Sequence, residues 1–244
     1  MEDIRAIIFD CDGTLVDSED AHYAGWRDAL QNQGHDLSVE EYRSYVGLAT
    51  EVIAGLLSKK IGEGFADEII KNKVEYFLTL QSKGLPPIHH TVDFVHRLSK
   101  EKEKFGLRLG VASAAGKNEI LIHLKNLGIE HLFEIILSGR DDLGNYHDVE
   151  GVNKPKPYVY LHMAKTMHLK PSQCVVIEDS WSGVTAGKTA GCVTIAVPNS
   201  YSHKQDFSLA DLKIESFSGM DTETFLQTVR ARLRSRDLQE QLRK

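Results

Sequence analysis

Short apolar runs that end abruptly in polar residues constrain the fold of this 244-residue chain more than any other feature. Four such runs lie at residues 6–9, 107–112, 174–177 and 193–197, and residues 133–137 are a fifth candidate. Runs of this length are typical of strands buried on both faces of a parallel sheet. Helix-like stretches at residues 117–127, 158–167 and 182–190 lie between the later runs. This alternation predicts an α/β fold with a doubly wound parallel sheet.

A long helical segment interrupts the alternation after the first apolar run. Residues 16 to about 85 have helical periodicity without a convincing buried strand, and helices are expected at residues 21–33, 51–60 and 66–81. Ser38 and Glu41 have the spacing of a capping box, which begins a further helix. We therefore expect a helical domain of residues 16–88 inserted into an α/β core of residues 1–15 and 89–244.

Charge and cysteine content limit the classes of partner and compartment. The net charge of −6 and the isoelectric point of about 6.0 argue against a nucleic-acid-binding protein, which needs a strongly basic face. No apolar run approaches the ~20 residues of a membrane-spanning helix. Three cysteines at unmatched spacings indicate a reducing compartment, and the acidic start is unlike a signal peptide. We expect a cytoplasmic monomer that acts on a small molecule and binds neither nucleic acid nor membrane.

The C-terminal stretch from residue 221 has the pattern of a charged helix. Arginines occupy positions 230, 232, 234 and 236, which raises the alternative of a nucleic-acid patch. Acidic residues at 237 and 240 interleave with this basic stretch, so a solvated helix face explains the pattern more simply.

Acidic and hydroxyl residues follow the predicted strands where each strand ends. The first run is followed by Asp10 and Asp12, the second ends next to Ser113, and a later run is followed by Glu178 and Asp179. In an open α/β sheet the ligand binds outside the carboxyl ends of the strands, where the strand order reverses. Four carboxylates are therefore expected to converge on one region.

Four carboxylates in a partly buried region need positive charge to offset them. A hard divalent cation with oxygen ligands is the usual solution, and Mg²⁺ fits this set best. The alternative is that each acid caps a loop or a helix N-terminus, as a single Asp after a strand often does. Two acidic clusters at separate strand ends, with a Ser and a Lys in the same series, favour the metal site.

The order of these residues resembles that of a known enzyme superfamily. Residues 10–17, Asp-Cys-Asp-Gly-Thr-Leu-Val-Asp, resemble DxDGTLxD, the first motif of the haloacid dehalogenase superfamily of phosphatases and phosphomutases. Ser113 resembles the second motif, Lys154 before Pro155 the third, and Glu178 with Asp179 the fourth. The resemblance spans nearly the whole chain. Within the superfamily the chain resembles the β-phosphoglucomutase-like subgroup, which implies a helical cap over the site.

The resemblance implies roles in catalysis for three residues. Asp10 would be the nucleophile that becomes a phospho-aspartate, and Asp12 the general acid for the leaving oxygen and then the base for water. Lys154 would steady the phosphoryl group and the charge of Asp10. Phosphoryl transfer requires positioning and charge neutralisation above all, so this set is chemically sufficient.

The resemblance also implies ligands for the metal and the substrate. Mg²⁺ would be held by the carboxylates of Asp10 and Asp179 and by the backbone carbonyl of Asp12, with Glu178 acting directly or through water. Ser113 and the amide of Ala114 would hold phosphate oxygens. His22, with Trp26, resembles the start of the cap in β-phosphoglucomutase-like members, which implies a role in substrate binding or cap closure; a helix-surface histidine is the alternative.

Three other patterns have simpler interpretations. Residues 183–189 resemble a nucleotide-binding P-loop but have three residues between the glycines where that motif requires four. A cysteine-dependent phosphatase needs an Arg six positions after Cys11, where Asp17 stands, so Cys11 is expected to be a packed small residue. Histidines other than His22 lack metal-ligand spacing and are expected on the surface.

Three functions are compatible with these residues. The leading hypothesis is a Mg²⁺-dependent hydrolase of small phosphomonoesters, with a sugar phosphate as the expected substrate, and the alternative is a phosphomutase. A remote alternative is a non-enzymatic phospho-acceptor switch, like a response-regulator receiver. In β-phosphoglucomutase an Arg follows Gly-x-x in the cap's substrate loop, where this chain has Thr50 after Gly47, and this favours the hydrolase. Lys71 or Lys73 are the candidates to replace that Arg.

Overall fold

Six parallel strands form one sheet in the computed structural model, which describes residues 3–242 and their side chains as far as residue 235. The strands are β1 (Ala6–Phe9), β2 (Arg108–Ser113), β3 (Ile135–Ser138), β4 (Cys174–Glu178), β5 (Val193–Ala196) and β6 (Leu212–Lys213). Their order is β3-β2-β1-β4-β5-β6. β2 and β3 lie on one side of β1 and the later strands on the other, so the strand order reverses at β1. The predicted doubly wound parallel sheet is confirmed.

Nine α-helices accompany the sheet within the described residues. Four of them follow β1 and form a helical insert: α1 (Glu19–Gln31), α2 (Val39–Arg43), α3 (Thr50–Ile61) and α4 (Ala66–Gln81). The other five flank the sheet: α5 (His89–Phe105), α6 (Lys117–Asn126), α7 (Tyr158–Thr166), α8 (Trp181–Thr189) and α9 (Thr222–Leu242). No helix among the residues described is long and apolar enough to cross a membrane.

Both faces of the sheet are buried, because side chains of successive strand residues point to opposite faces. In β1, Ile7 and Phe9 pack in one core with residues of α5, α6 and α9, while Ala6 and Ile8 pack in a second core with residues of α7 and α8. This two-sided burial explains why the strands are continuous apolar runs rather than alternating ones.

The helical insert has an apolar core of its own. Trp26 and Leu30 of α1 pack there with Leu57 of α3 and Ile69 of α4, all 2% exposed or less. Ser38 begins α2, and its hydroxyl accepts a hydrogen bond from the backbone amide of Glu41, whereas the Glu41 carboxylate pairs with Lys60. The structure therefore has the Ser38 half of the predicted capping box. The insert therefore packs around its own core as well as against the sheet.

Two chain segments join the insert to the sheet, and they run antiparallel beside each other. The amide of Asp17 donates to the carbonyl of Pro86 at 2.8 Å, and the amide of Ile88 donates to the carbonyl of Leu15 at 2.9 Å. The division into a domain of residues 16–88 and a core of residues 1–15 and 89–244 stays a prediction. Residues 1, 2, 243 and 244, and the side chains of the charged positions 236, 237 and 240, lie outside the described residues.

Candidate active site

The predicted acidic residues meet at the carboxyl end of β1, where the strand order reverses. Phe9 is in register with Val111 of β2 and with Ile177 of β4, and the amide of Asp10 donates to the carbonyl of Ile177 at 3.0 Å. Asp10 therefore lies directly beside Glu178. This is the position at which doubly wound sheets bind their ligands.

Lys154 joins two of these acids. Its ammonium lies 2.6 Å from Asp10 Oδ1, 2.6 Å from Glu178 Oε1 and 2.9 Å from the carbonyl oxygen of Ala112, and the side chain is 3% exposed. Burial alone would lower the pKa of Lys154, but Asp10 and Glu178 outweigh burial and raise it above its ordinary value. Lys154 is therefore a fixed positive charge at the base of the site.

The carboxyls of Asp10, Glu178 and Asp179 form a compact oxygen cluster. One carboxylate oxygen of each lies within 4.8 Å of the others, and all three residues are buried. Burial raises the pKa of Asp10 to about 8, with Lys154 lowering it and Glu178 raising it, and burial with the charges of Asp10 and Glu178 raises the pKa of Asp179. Three carboxyl groups thus share one buried space, and three hard oxygen donors suit a divalent cation such as Mg²⁺.

Neighbouring polar groups orient two of these acids. Asn199 Nδ2 donates to Asp179 Oδ2 at 2.8 Å, and Thr14 Oγ1 donates to Asp179 Oδ1 at 3.4 Å. The hydroxyl of Tyr160 donates to Glu178, which is fully buried and does not line the cavity between the sheet and the helical insert. Asp10 and Asp179 do line that cavity, so they are the acids of the cluster that face a bound molecule.

The carboxylate of Asp12 has partners different from those of Asp10. Its Oδ1 accepts a hydrogen bond from Ser18 Oγ at 2.7 Å and lies 3.5 Å from His22 Nε2 and 3.7 Å from His123 Nε2. Burial raises the pKa of Asp12, but the two histidines and Ser18 outweigh burial and lower it below its usual range. Asp10 and Asp12 therefore sit in environments that shift their pKa values in opposite directions.

His22 of α1 brings the helical insert to this carboxylate. Its ring stacks on Phe77 of α4 with centroids 4.3 Å apart. Burial, followed by the charge of Lys73, lowers the pKa of His22 to about 4, although Asp12 acts in the other direction. His22 is thus turned inward towards the sheet, and its predicted role at the site stays a prediction.

Ser113 and Ala114 lie where β2 ends. The hydroxyl of Ser113 accepts a hydrogen bond from the amide of Ala115 at 3.1 Å, and the carbonyl of Ala114 accepts one from Asn153 Nδ2 at 2.9 Å. Asn153 precedes Lys154, so this contact ties the Lys154 loop to the end of β2. Ser113 and Ala114 both line the cavity.

A cavity of about 160 Å³ lies between the sheet and the helical insert. The insert contributes Glu19, Thr50 and Lys73 among other residues, and the sheet side contributes Asp10, Asp12, Ser113, Lys154 and Asp179. The predicted site residues Asp10, Asp12, His22, Ser113, Ala114, Lys154 and Asp179 all line it. Its volume limits a bound molecule to a small one.

Polar contacts between the insert and the sheet close the cavity on one side. Ser182 Oγ donates to the carbonyl of Gly47, and Gln205 Nε2 donates to the carbonyl of Val46 at 3.0 Å. The hydroxyl of Tyr201 donates to Asp20 of α1. The insert is therefore held against the carboxyl ends of the strands.

Two of the simpler interpretations hold, and one is wrong. Cys11 is fully buried, as expected of a packed residue. Gly183 lies in the first turn of α8, and this helix packs on the sheet. This agrees with the prediction that residues 183–189 are not a P-loop. His123 was expected on the surface but is 1% exposed and lies beside Asp12, because α6 begins directly after β2 and turns this face inward. The spacing of Glu119 and His123, one helical turn apart, was the available signal.

Several known proteins resemble this chain in sequence and in fold. The chain is 28% identical over 193 residues to a phosphorylated carbohydrates phosphatase of Thermotoga maritima, covering 77% of this chain and 82% of that protein. It is 26% identical to CbbY from Rhodobacter sphaeroides, whose mutant was solved in complex with xylulose-1,5-bisphosphate, with a TM-score of 0.73 and coverage of 88% and 96%. β-Phosphoglucomutase from Clostridium difficile shares the fold, with a TM-score of 0.75, 23% identity and coverage of 94% and 99%.

A sequence model of one family covers most of the chain. The family is described as haloacid dehalogenase-like hydrolase, and the match runs over residues 7–197, from β1 through the helical insert to the end of β5. The resemblance found in the four motifs is confirmed, and so is the prediction of an enzyme rather than a phospho-acceptor switch. Because the family model spans well over half of the sequence, the chain belongs to the haloacid dehalogenase-like hydrolases.

Proposed function

We propose that the protein is a Mg²⁺-dependent phosphatase that hydrolyses a small phosphomonoester, a sugar phosphate, through a phospho-aspartate on Asp10. The observation that carries the proposal is that two acids at one end of β1 line the same cavity with different partners. Asp10 is fixed by Lys154 at 2.6 Å, and Asp12 lies two residues away among Ser18, His22 and His123. One acid is thereby suited to bond formation and the other to proton transfer.

The first step forms a bond between a carboxylate oxygen of Asp10 and phosphorus. The bond from phosphorus to the sugar oxygen breaks, and Asp12 donates a proton to that oxygen, which leaves as an alcohol. Ser113 and the amide of Ala114 hold the phosphoryl oxygens, and the ammonium of Lys154 stabilises their charge. The product of this step is free sugar and phospho-Asp10.

The second step returns Asp10 to its starting form. Asp12, now a carboxylate, accepts a proton from water as the water oxygen attacks phosphorus. The bond between phosphorus and the Asp10 oxygen breaks, which releases inorganic phosphate. The lowered pKa of Asp12 suits it to the carboxylate form in which it accepts the proton of water.

The acid cluster supports a metal in this scheme. The carboxylates of Asp10 and Asp179 and the backbone carbonyl of Asp12 would hold Mg²⁺, with Glu178 reached directly or through water. When bound, the cation supplies positive charge that neutralises the transferred phosphoryl group. The raised pKa values of Asp10 and Asp179 mark the charge that such a cation would offset.

The helical insert would act as a cap that excludes bulk water and limits substrate size. Its contacts with the sheet at Gly47 and Val46, and the small volume of the cavity, support this role. The sugar-phosphate class is supported by the phosphatase of Thermotoga maritima and by the bisphosphate bound to CbbY. Three buried free cysteines among the described residues support the cytoplasmic setting. We also propose that the enzyme is a monomer.

The test is a panel of phosphorylated sugars assayed with Mg²⁺ and with excess chelator. We expect phosphate release that chelation abolishes and added Mg²⁺ restores. Asp10→Asn should form no phosphoenzyme and release no phosphate, whereas Asp12→Asn should lose roughly 10²–10⁴-fold in rate while still binding metal. Full activity in chelator, or equal mild losses in both variants, would contradict the proposal.

A phosphomutase of the β-phosphoglucomutase type is the second candidate. The observation that favours it is Lys73, a cation of the insert that lines the cavity where Thr50 supplies no charge. Scoring isomerised sugar phosphate alongside phosphate in the same panel separates the two functions.

A further inference from the structure

Asn199, in the loop after β5, contacts Asp179 with a side chain that has one defined orientation. Its Nδ2 donates to Asp179 Oδ2 at 2.8 Å and to the carbonyl of Gly13 at 3.3 Å. Its Oδ1 accepts from the amides of Tyr201 at 2.8 Å and Ser202 at 3.1 Å. One side of this side-chain amide meets only acceptors and the other side meets only backbone donors, so a flipped amide would lose all four hydrogen bonds. The Asn199 side chain is therefore fixed at both ends.

The two carboxylate oxygens of Asp179 are held unequally. A β-carbon at Gly13 would lie 2.3 Å from Asp179 Oδ2 and 2.8 Å from Asn199 Nδ2, so both groups pack against the bare backbone of Gly13. Within the described part of the chain, Asp179 Oδ1 has the longer contact of 3.4 Å with Thr14 Oγ1. Groups that hold one oxygen of a ligating carboxylate orient the other oxygen and tune metal affinity. Oδ1 is therefore the oxygen of Asp179 that is better placed to bind a cation.

The segment of residues 199–205 extends from this contact to the helical insert. The hydroxyl of Tyr201 donates to the carboxylate of Asp20 in α1. Two turns of chain further on, Gln205 Nε2 donates to the carbonyl of Val46 at 3.0 Å. One short segment thus contacts the insert at two places and an acid of the candidate metal site at a third.

Hydrogen bonds within the 199–205 segment make it one compact unit. The amide of Asn199 donates to Ser202 Oγ at 3.1 Å, and the amide of His203 donates to the carbonyl of Asn199 at 3.0 Å. The amide of Gln205 donates to the carbonyl of Ser202 at 2.8 Å, and Gln205 Oε1 accepts from the amide of Trp181 at 2.6 Å. Ser202 is fully buried. A displacement at the end that contacts the insert therefore also moves Asn199.

Resting on the proposed function, we propose that Asn199 is a positioning residue that presents Oδ1 of Asp179 to the divalent cation, and that the 199–205 segment couples cation binding to docking of the insert. When Tyr201 and Gln205 hold the insert, Asn199 is held as well, and Asp179 keeps its metal-binding orientation. Such a coupling is reciprocal, so a bound cation also favours the docked insert. The segment contributes no atom to the reaction itself.

The test measures cation binding directly, with Mn²⁺ in place of Mg²⁺ and detection of free Mn²⁺ by electron paramagnetic resonance, so that it needs no turnover. Asn199→Ser removes the donor to Asp179 but keeps a side-chain oxygen of the kind that accepts hydrogen bonds within turns. We expect this variant to bind Mn²⁺ roughly 10–100-fold more weakly, the usual cost of losing a partner of a metal ligand. Cooperative thermal unfolding in the absence of metal checks that the variant is folded.

A second variant tests the coupling at the other end of the segment. Tyr201→Phe removes the hydroxyl that donates to Asp20 and leaves every contact of Asp179 in place. We expect Mn²⁺ to bind about 5-fold more weakly or worse, at the lower end of typical couplings between sites. Tyr23→Phe is the matched control, because the Tyr23 hydroxyl donates to the carbonyl of Leu37 inside the insert, and its Mn²⁺ affinity should equal that of the original protein.

Kinetics provide a second readout that a loss of fold would not reproduce. In Asn199→Ser the Mg²⁺ concentration that gives half-maximal phosphatase activity should rise by the same factor as the Kd for Mn²⁺, while KM for the phosphomonoester at saturating Mg²⁺ stays unchanged. Unchanged Mn²⁺ affinity in either Asn199→Ser or Tyr201→Phe would overturn the proposal. Failure of the original protein to bind Mn²⁺ would contradict this proposal and the metal site together. The expected Mn²⁺ affinities in a protein that releases no phosphate would contradict only the phosphatase activity.

Discussion

Gly183 packs so closely against the carboxylate of Glu178 that a β-carbon at position 183 would overlap it. The same carboxylate contacts Lys154 at 2.6 Å and accepts a hydrogen bond from Ser180 Oγ at 3.3 Å. Ser180 is the N-cap of α8, and its hydroxyl accepts from the amide of Gly183 at 3.2 Å. The first turn of α8 therefore rests on a buried acid of the candidate active site.

Gly183→Ala should for this reason damage both stability and activity. The added methyl group must displace either Glu178 from Lys154 or α8 from the sheet, so we expect a loss of about 1–3 kcal/mol in the free energy of unfolding. Phosphatase activity should fall at least tenfold. Urea unfolding and steady-state kinetics measure the two effects.

Gly55→Ala is the matched control for this substitution. Gly55 lies within α3, and a β-carbon there meets nothing within 4 Å. Because Ala favours the helix over Gly, this variant should be as stable as the original protein or more stable by about 0.4–1 kcal/mol, with unchanged kinetics. If Gly183→Ala matched Gly55→Ala in both measurements, the close contact between Gly183 and Glu178 would contribute to neither stability nor activity.

Lys154 and Lys156 are expected to differ sharply although only Pro155 separates them. Lys154 is buried between Asp10 and Glu178, whereas Lys156 pairs with Glu150 and Asp148 near the surface. Lys154→Ala leaves two buried acids without their cation and should cost about 3–5 kcal/mol of stability and nearly all activity. Lys156→Ala should change stability and activity little, because exposed ion pairs contribute little.

Thermal unfolding and initial rates for both lysine variants check this ranking. Lys154→Met serves as a second variant that keeps the side-chain volume while removing the charge. Because activity and stability are read separately, a folded but inactive Lys154→Met protein supports the assignment. If Lys154→Ala were only mildly impaired and Lys156→Ala severely impaired, the catalytic lysine would be Lys156 rather than Lys154.

Most of the sheet could be predicted because its strands are buried on both faces. The predicted run at residues 6–9 is β1 without change, and the other predicted runs match their strands to within two residues. β6 was missed, since a two-residue strand, one residue of it exposed, leaves no apolar run. α5 was missed as well, although its buried residues Phe94, Val95 and Leu98 have the spacing of one helix face.

The acids of the candidate site could be predicted because they directly follow strands, and parallel register then brings them together. Residues that reach the cavity from helix faces and turns could not. The sequence offered Lys71 and Lys73 as equal candidates for a cation, and only the packing of α4 buries Lys73 while leaving Lys71 exposed. Arg140 lies in a turn whose direction depends on hydrogen bonds to Ser138.

Glu19 should make the stability of the protein depend on pH. This carboxyl is buried in the first turn of α1, accepts a hydrogen bond from the hydroxyl of Tyr42 at 2.7 Å, and lines the cavity. Burial raises its pKa from 4.5 to about 7, the Tyr42 contact lowers it, and Asp12 raises it. The folded protein therefore binds a proton that the unfolded chain has lost between pH 4.5 and 7.

The stabilising contribution of Glu19 is fully present below pH 4.5 and is lost as pH rises towards 7. The difference in free energy of unfolding between the original protein and Glu19→Gln should fall by up to about 1.4 kcal/mol per pH unit in that interval and level off above it. Exposed Glu63 is the control, and Glu63→Gln should leave the slope unchanged. A difference that is constant with pH would show that folding leaves the pKa of Glu19 at its unfolded value.

Thr50 should make the enzyme a hydrolase rather than a mutase. A phosphomutase must hold a bisphosphorylated intermediate and reorient it while water is kept from the phospho-aspartate. Thr50 lines the cavity and offers a hydroxyl, but it cannot make the bidentate, charge-assisted contact of a guanidinium with phosphate. Lys73 and Arg140 line the same cavity from other elements of the fold, and neither stands at position 50.

We expect this difference to appear in the fate of β-glucose 1-phosphate incubated with Mg²⁺ and a catalytic amount of the 1,6-bisphosphate. Phosphate should be released faster than glucose 6-phosphate accumulates, because water reaches phospho-Asp10 before the sugar is turned. Thr50→Arg should shift the ratio of products towards glucose 6-phosphate, and Thr50→Val, which lacks the charge, should not. Conversion to glucose 6-phosphate far faster than phosphate release by the original protein would establish a mutase, since only a retained and reoriented bisphosphate can transfer phosphate between the two positions.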